Sequence, residues 1–444
     1  MTNLVRGSPR LALYAAAYGF AAIVHKGLGF CLFFWLAHTL PQSDYARFGL
    51  LYALQTGLIA VATAGVVEMV IGRHHGLPIG EQRNLLYRTG NGVFLWLSLL
   101  AGFGAMGTYV SLLARYASVW DLLVISATAF LLAFFTLQAS FVRLDEAHRQ
   151  SLVLGFLPPV VGLGCAFLSF SVWGTLTAFF GGMDVALLIM FFALYRWGML
   201  HLGVTIRISN LVSVKSELAP YIVIALLAWL SGYGGTYLVE SMFELTDVAV
   251  FTFIYTLSSI LPITATALNQ VWAPRFFRKA TVFQPVELER ENLVFYGVQG
   301  VILGLVGATV LIILPLGLEV IGGNLASYRD SGKGLAWLYG GYAVAIPWWH
   351  AQNYFYMHKQ GLPLMRTLVI TTILGLTMWV MLMFSLGVPG IYVGFFMMML
   401  IRSLAVWRDA HARWNILLTW HGPVAACILL FVGVGLSNLL WSTS

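Results

Sequence analysis

The chain has 444 residues, of which 60% are hydrophobic and 9% charged, and its mean hydropathy is +0.85. So little polar surface excludes a water-soluble globule of this size and predicts an all-α polytopic membrane protein, since each span needs about 20 apolar residues. The net charge of +7 comes mostly from loop residues, so it indicates membrane topology and no nucleic-acid partner.

Apolar stretches predict 12 to 13 membrane helices. They cover 11–38, 44–71, 86–113, 119–142, 151–171, 173–195, 219–241, 247–272, 291–317, 334–357, 363–386, 388–407 and 422–441. For the last stretch, an interfacial tail that does not span the membrane is the alternative. We divide the chain into an N-terminal bundle (1–196), a cytoplasmic connection (197–218), a C-terminal bundle (219–411) and an additional C-terminal helix (412–444).

Basic residues predict the orientation. With a cytoplasmic N-terminus, nineteen of the 24 Lys and Arg residues fall on the cytoplasmic side, Arg402 among them, as the positive-inside rule requires. The first apolar run is too long for a signal peptide and contains Lys26, so we interpret it as a retained helix. The three cysteines are far apart and show no metal-ligand spacing.

The two halves of the chain contain a repeated segment. Residues 44–64 match residues 247–267 at nine of 21 positions without a gap. The matches include pairs that hydrophobicity alone does not explain: Asp44 with Asp247, Phe48 with Phe251, and Tyr52 with Tyr255. Both copies run in the same direction, which predicts two six-helix bundles related by a parallel pseudo-twofold repeat, with a V-shaped central cavity.

Three stretches carry a resemblance to a known family. They are FFWLAHTLPQSDYARFGLLYAL (33–54), NQVWAPRFFRK (269–279) and LGVPGIYVGFF (386–396). The chain resembles the Wzx-type O-antigen and polysaccharide flippases of the multidrug/oligosaccharidyl-lipid/polysaccharide (MOP) superfamily. It departs from them where Glu240 and Ser241 stand in place of an Asp-Arg pair, and in its thirteenth apolar segment.

The resemblance implies a flippase in the bacterial inner membrane. Its activity would move undecaprenyl-diphosphate-linked oligosaccharide repeat units from the cytoplasmic to the periplasmic leaflet by alternating access. Proton or Na⁺ coupling and no cofactor are expected, and a polysaccharide polymerase and a chain-length regulator are the expected partners. A drug or cation exporter of the same superfamily and a membrane polysaccharide polymerase or ligase are the alternatives.

Buried cations are the candidates for holding the diphosphate. Lys26 lies about fifteen residues into an apolar run, with the titratable His25 beside it, and an ionisable group at that depth marks a functional site by default. Pairing of Lys26 with a buried acid for packing is the alternative. Arg47 and Arg88 open the second and third helices and either reach a cavity mouth or extend to lipid headgroups.

Two acids are candidates for ion coupling. Asp184 lies near the middle of the sixth helix, where a carboxyl group either binds and releases a proton or pairs with Lys26 for structure. Glu240 lies at the predicted periplasmic rim, where an ordinary solvated turn is the alternative.

Polar interruptions of apolar helices are the candidates for glycan contact, because aromatic faces and amides suit sugars. They are Tyr18, Gln270, Trp349, His350 and Asn353. An interfacial aromatic belt is the alternative for the tenth helix, which Pro347 is expected to kink. The sequence contains no Walker A, HExxH or GxSxG motif, so we expect no enzyme.

Overall fold

The computed structural model describes residues 24, 27–74, 80–145, 147–205, 208–280, 285–329, 331–358, 360–416 and 419–441. At 68, 71–72, 208–217, 270–271, 273–275, 277–280 and 285–286 only the backbone is described. Tyr18, His25 and Lys26 lie outside the described residues, as does the side chain of Gln270.

The described residues form α-helices, a short π-helical segment (Tyr109–Leu113), a short 3₁₀ segment (Gly323–Tyr328) and connecting turns, without strands. The helices are α1 (Gly27–Thr39), α2 (Gln42–Thr63), α3 (Val66–His74), α4 (Glu81–Thr108), α5 (Val119–Leu144), α6 (His148–Trp173), α7 (Leu176–Arg196), α8 (Ile208–Leu230), α9 (Gly235–Met242), α10 (Leu245–Ser258), α11 (Ile260–Ala280), α12 (Pro285–Ile321), α13 (Ser331–Val344), α14 (Ile346–Met357), α15 (Gly361–Leu386), α16 (Val388–Trp414) and α17 (His421–Trp441).

Ten stretches of the described chain are long and apolar enough to cross a membrane. An eleventh arises if residues Leu218–Leu230 and Gly235–Met242, which meet at a 44° bend, count as one span. The predicted first segment lies partly outside the described residues, and the predicted segment 334–357 is divided into α13 and α14 at Ala345. The all-α polytopic architecture is thereby confirmed.

Proline sets the break between α13 and α14. Pro347 lies in the first turn of α14, where its missing N–H leaves no intrahelical bond unmade. In place of the expected kink within one helix, a new helix therefore begins after Ala345. The directions in which the side chains of α14 point are thus independent of those of α13.

The repeated segments adopt equivalent local structures. Asp44 and Asp247 each occupy the third position of their helix, α2 and α10. Phe48 stacks on Tyr52 with ring centroids 5.8 Å apart and an interplanar angle of 19°. The equivalent rings of Phe251 and Tyr255 are 5.7 Å apart at 29°. The shared geometry supports a duplication, while the pseudo-twofold axis and the V-shaped cavity stay predictions.

The chain divides into two compact units. Within the described residues, the N-terminal unit comprises 24–34 and Arg47–Trp229, and the C-terminal unit comprises Trp35–Ala46 and the chain from Leu230 onward. The α1–α2 connection belongs to the C-terminal unit because His38 Nδ1 lies 3.2 Å from the carbonyl oxygen of Gly322. In addition, Asn324 Nδ2 donates to the carbonyl of Leu40 at 2.9 Å.

An apolar core of the N-terminal unit lies among α2, α3, α4, α5 and the second half of α8. At its edge the rings of Tyr87 and Phe141 stack with centroids 4.8 Å apart. Because lipid tails are as apolar as these side chains, close van der Waals packing holds such helices together. Gly65, with φ of +73°, permits the break between α2 and α3 against Leu218.

Buried side-chain amides form hydrogen bonds to a loop at one end of the N-terminal unit. Asn91 Nδ2 donates to the carbonyls of His201 (2.5 Å) and Gly203 (2.9 Å). Gln138 accepts from the backbone N–H of His201 at 2.8 Å and donates to Asn91 at 3.1 Å. The loop passes so close to Gly92 that any Cβ there would meet the carbonyl oxygen of Thr205. We call residues 201–205 the strap.

Candidate functional site

The two arginines predicted at cavity mouths make contacts within the N-terminal unit. Arg47 Nε donates to the carbonyl of Tyr116 at 2.7 Å. Arg88 is exposed, and its aliphatic stem lies against Gly203 of the strap. The carbonyl oxygen of Arg88 accepts from the backbone N–H of Thr205 at 2.9 Å, which joins the strap to α4.

Both arginines thus have a structural role. A part for Arg47 and Arg88 in diphosphate binding stays a prediction, as it does for His25 and Lys26, which lie outside the described residues.

Asp184 faces α5 within the N-terminal unit. Thr128 Oγ1 lies 2.5 Å from Asp184 Oδ1 and 3.0 Å from the carbonyl oxygen of Val124. One heptad earlier on both helices, Thr177 donates to Asp121. The equal spacing of these two contacts shows that α5 and α7 run parallel. Among the described residues no Lys, Arg or His forms an ion pair with Asp184.

The hydroxyl group of Thr128 suits both protonation states of Asp184. A hydroxyl has one proton to donate and two lone pairs to accept with. When Asp184 is ionised, Thr128 donates to it. When Asp184 is protonated, its O–H can donate to Thr128, which then donates to the carbonyl of Val124. The contact therefore persists while a proton is bound or released.

Glu240 lies in the C-terminal unit, on the short helix α9 that follows the 44° bend. Its side chain is buried, with 7% of the residue exposed. The alternative of an ordinary solvated turn is therefore wrong for Glu240. Asp184 and Glu240 belong to different compact units, and a coupling role for either residue stays a prediction.

A cavity of about 160 Å³ lies between α11, α12 and α14 of the C-terminal unit. Its described lining residues are Pro262, Ala265, Thr266, Asn269, Gln299, Trp349, Gln352, Asn353 and Tyr356. We call it the amide cavity. It is smaller than the roughly 300–1,000 Å³ of a site for a drug-sized ligand, so it suits one part of a larger molecule.

Helical periodicity creates the α14 wall of the amide cavity. On α14, Trp349 is followed after three, four and seven residues by Gln352, Asn353 and Tyr356. Residues at these spacings lie on one face of a helix. Asn353 Nδ2 donates across the cavity edge to Asn269 Oδ1 on α11 at 3.3 Å. The structure thus brings two of the predicted glycan-contact residues, Trp349 and Asn353, to the same cavity.

His350 lies behind the amide cavity and is 2% exposed. Its Nδ1 lies 2.9 Å from Asn292 Oδ1, and its Nε2 lies 2.8 Å from the side-chain oxygen of Gln299. The indole N–H of Trp272 also reaches Asn292 Oδ1, at 3.1 Å. Because an indole only donates, this contact fixes the orientation of the Asn292 amide, and His350 must carry a proton on Nδ1.

This hydrogen-bond arrangement also determines what Gln299 presents to the cavity. In a neutral His350 protonated on Nδ1, Nε2 can only accept, so it accepts a hydrogen bond from the carboxamide nitrogen of Gln299. The two ends of a carboxamide are assigned from such networks. The carbonyl oxygen of Gln299 is then directed away from His350, where it can accept from a ligand hydroxyl or N–H. His350 therefore acts through Gln299.

Sequence reasoning selected neither Gln299 nor Asn269 as a site residue. Gln299 is the lone amide of the apolar stretch 296–317, and a single amide in an otherwise apolar membrane helix is a usable signal because it needs a partner. The amides Asn91 and Gln138, which hold the strap, carry the same signal. In the described part of the chain, no cluster of His, Cys, Asp and Glu could hold a metal ion.

No protein-family model and no curated protein matches the sequence. Solved structures do match. An inward closed form of the lipid II flippase MurJ aligns with a TM-score of 0.68 and 9% identity, covering 97% of this chain and 99% of that one. An inward-facing multidrug resistance MATE family transporter of the MOP superfamily aligns with a TM-score of 0.64 and 14% identity, covering 89% and 94%.

A third match is the MATE multidrug transporter DinF-BH in complex with R6G, with a TM-score of 0.61 and 14% identity, covering 92% of this chain and 96% of that one. At such low identity the agreement concerns the course of the backbone and not the side chains of a site. The chain therefore has the polytopic helical fold of the MATE and MurJ transporters.

Proposed function

We propose that this protein is a flippase and not an enzyme, and that it moves undecaprenyl-diphosphate-linked oligosaccharide repeat units, such as those of O-antigen, to the periplasmic leaflet. The observation that carries the proposal is the chemistry of the amide cavity. Asn269, Gln299, Gln352 and Asn353 provide carboxamides and Trp349 an aromatic side chain, and none of its described lining residues is a carboxylate.

Carboxamides and aromatic rings suit an uncharged sugar. Sugar hydroxyls both donate and accept, and carboxamides offer both functions from one side chain. An aromatic face covers the C–H surface of a sugar ring. An exporter of organic cations, the alternative from the same superfamily, needs a carboxylate to offset the charge of its substrate. The uncharged lining therefore favours the flippase.

The diphosphate requires positive charge, which the sequence offers at Lys26 with His25 beside it. In the proposed cycle, the diphosphate binds near Lys26 from the cytoplasm while a sugar of the repeat unit enters the amide cavity. Alternating access then exposes both groups to the periplasm. Binding of a proton to Asp184 and its release couple the cycle to the proton gradient, because Thr128 can stabilise both forms.

Complementation of a bacterial strain that lacks its own flippase tests this function. Wild-type protein should restore surface polysaccharide, Lys26→Ala and Trp349→Ala should not, and Lys26→Arg should restore part of it. Trp337→Ala is the matched control, because Trp337 is 44% exposed and does not line the cavity. Full polysaccharide from Lys26→Ala and Trp349→Ala at wild-type protein level would contradict the proposal. Genes for a polysaccharide polymerase and a chain-length regulator next to the gene for this protein would support the proposal.

A further inference from the structure

Arg402 is a buried cation that has no acidic partner among the residues that the structure describes. It lies in the middle of α16 and is 2% exposed. Within the described part of the chain, no Asp or Glu forms an ion pair with it. The interpretation of Arg402 as one of the cytoplasmic charges that set the topology is therefore wrong, because Arg402 neither ends a helix nor reaches water. A buried guanidinium stays protonated and calls for compensation by its surroundings.

Two hydroxyl groups and one aromatic ring contact the guanidinium. Arg402 Nη2 donates to Ser231 Oγ at 2.5 Å and to Thr372 Oγ1 at 2.7 Å. Its Cζ lies 4.9 Å from the ring centroid of Trp348. These groups come from the α8–α9 break, α15 and α14 of the C-terminal unit. They provide dipoles and a π face, but no negative charge.

Hydrogen-bond donors without acceptors mark the same place. Arg402 Nε and Trp348 Nε1 are both buried and have no hydrogen-bond partner in the described part of the chain, and neither has Oγ of the adjacent Ser403. The guanidinium and the indole can only donate. Buried N–H groups are nearly always paired, so unpaired donors on two stacked side chains indicate that an acceptor belongs here.

We propose that Arg402, Trp348, Ser231 and Thr372 form a binding site for one oxyanion of the phosphate class. Guanidinium groups bind phosphate oxygens through two parallel N–H bonds, and the indole N–H and the two hydroxyls add donors from three other segments. A tetrahedral oxyanion offers oxygens in enough directions to meet donors that come from several sides.

Occupation of this site affects the break between α8 and α9. An anion competes with Ser231 for the protons of Arg402 Nη2, and Ser231 is the first residue of the break between α8 and α9. Anion binding therefore weakens the hydrogen bond from Arg402 to the first residue of that break. The site itself is independent of the proposed function, whereas its assignment to the diphosphate of a glycolipid rests on that function.

Calorimetric titration of the purified full-length protein with inorganic pyrophosphate, at constant ionic strength, tests the site. We expect Trp348→Phe, which keeps the ring and removes the N–H, to weaken binding at least about tenfold. Arg402→Lys, which keeps the charge and loses the planar fork, should weaken it further. Trp407→Phe is the matched control. Trp407 Nε1 is likewise buried without a hydrogen-bond partner among the described residues, but the ring on which Arg402 stacks is that of Trp348.

Thermal unfolding of each variant establishes that it is folded. Absence of pyrophosphate binding to wild type, or equal binding by Trp348→Phe and Trp407→Phe, overturns the proposal. Competition with vesicles that contain a polyprenyl diphosphate distinguishes the source of the phosphate. Displacement of pyrophosphate assigns the site to a lipid headgroup, and binding without displacement keeps the site but assigns it to a free anion. Neither result depends on the complementation assay.

Discussion

Thr128 Oγ1 and Asp184 Oδ1 lie 2.5 Å apart on the parallel helices α5 and α7, although 56 residues separate them in the chain. The contact places a half-buried titratable group between two helices, next to a hydroxyl that can donate to it or accept from it. No described cation forms an ion pair with Asp184, so the ionised form is stabilised by a hydrogen bond from this hydroxyl and not by a described salt bridge.

Asp184→Asn should abolish the dependence of transport on the proton gradient while protein abundance stays close to that of wild type. The new carboxamide oxygen still accepts from Thr128, but it binds no proton. Flipping measured in proteoliposomes with and without an imposed pH gradient checks this. An Asp184→Asn protein that still responds to the gradient would show that coupling lies elsewhere.

Removal of the hydroxyl should weaken the same response. Thr128→Val leaves Asp184 without its hydrogen-bond partner, so we expect a smaller gradient effect and a loss of about 1–3 kcal/mol in stability. Thr136→Val on the same helix is the control, because within the described residues Thr136 Oγ1 bonds only to the carbonyl of Leu132. Equal behaviour of the two valine variants would argue against the role of Thr128.

His350→Phe should lower the free energy of unfolding by about 1–3 kcal/mol, because it leaves the buried amides Asn292 and Gln299 without a shared partner. Thermal unfolding in detergent measures the effect. His358→Phe is the control, since His358 is exposed and contributes a ring stacked on Trp414, which phenylalanine retains. If His350→Phe unfolds at the wild-type temperature, His350 does not hold the cavity wall.

Asn353→Asp should reduce glycan transport by about tenfold or more, because it puts a carboxylate into an uncharged cavity and removes the donor to Asn269. The measurement is surface polysaccharide per unit of protein in the complemented strain. Asn84→Asp, on the exposed first turn of α4, should leave transport unchanged. Transport by Asn353→Asp at the wild-type level would exclude the amide cavity from the substrate path.

The strap should make the stability of the protein depend on pH. Burial lowers the pKa of His201, an effect that nearby Asp145 partly offsets. Since the unfolded chain binds the proton more readily, the contribution of neutral His201 is fully present above its unfolded pKa of about 6.5. It is lost as the pH falls below that value towards the folded pKa. Unfolding temperatures should fall between pH 7.5 and 5.5, and fall less in His201→Phe.

Several features of the candidate site were accessible from the sequence. The aromatic and amide pattern of 346–359 predicts the face that Trp349 and Asn353 share, since residues at helical spacing lie together whatever they pack against. The duplication is readable for the same reason, because Phe48 with Tyr52 and Phe251 with Tyr255 are each one helical turn apart.

Arg402 shows where such reasoning fails. The positive-inside rule treats each basic residue by its position along the chain, and Arg402 lies only six residues before Arg408. The rule contains no information on which way a side chain is turned. In the folded C-terminal unit, α16 directs Arg402 to Ser231 and Thr372, 171 and 30 residues away in sequence.

The sequence by itself determined that this protein is a helical membrane protein with a duplicated segment, because hydropathy and helical periodicity are local properties of the chain. Only the tertiary structure decided which polar groups meet: Thr128 with Asp184, His350 with Gln299, and Arg402 with Trp348. The physical reason is that the rotation and packing of each helix depend on neighbours far away in sequence. A polar group in a membrane helix therefore shows that a partner is required, while the fold determines which partner it finds.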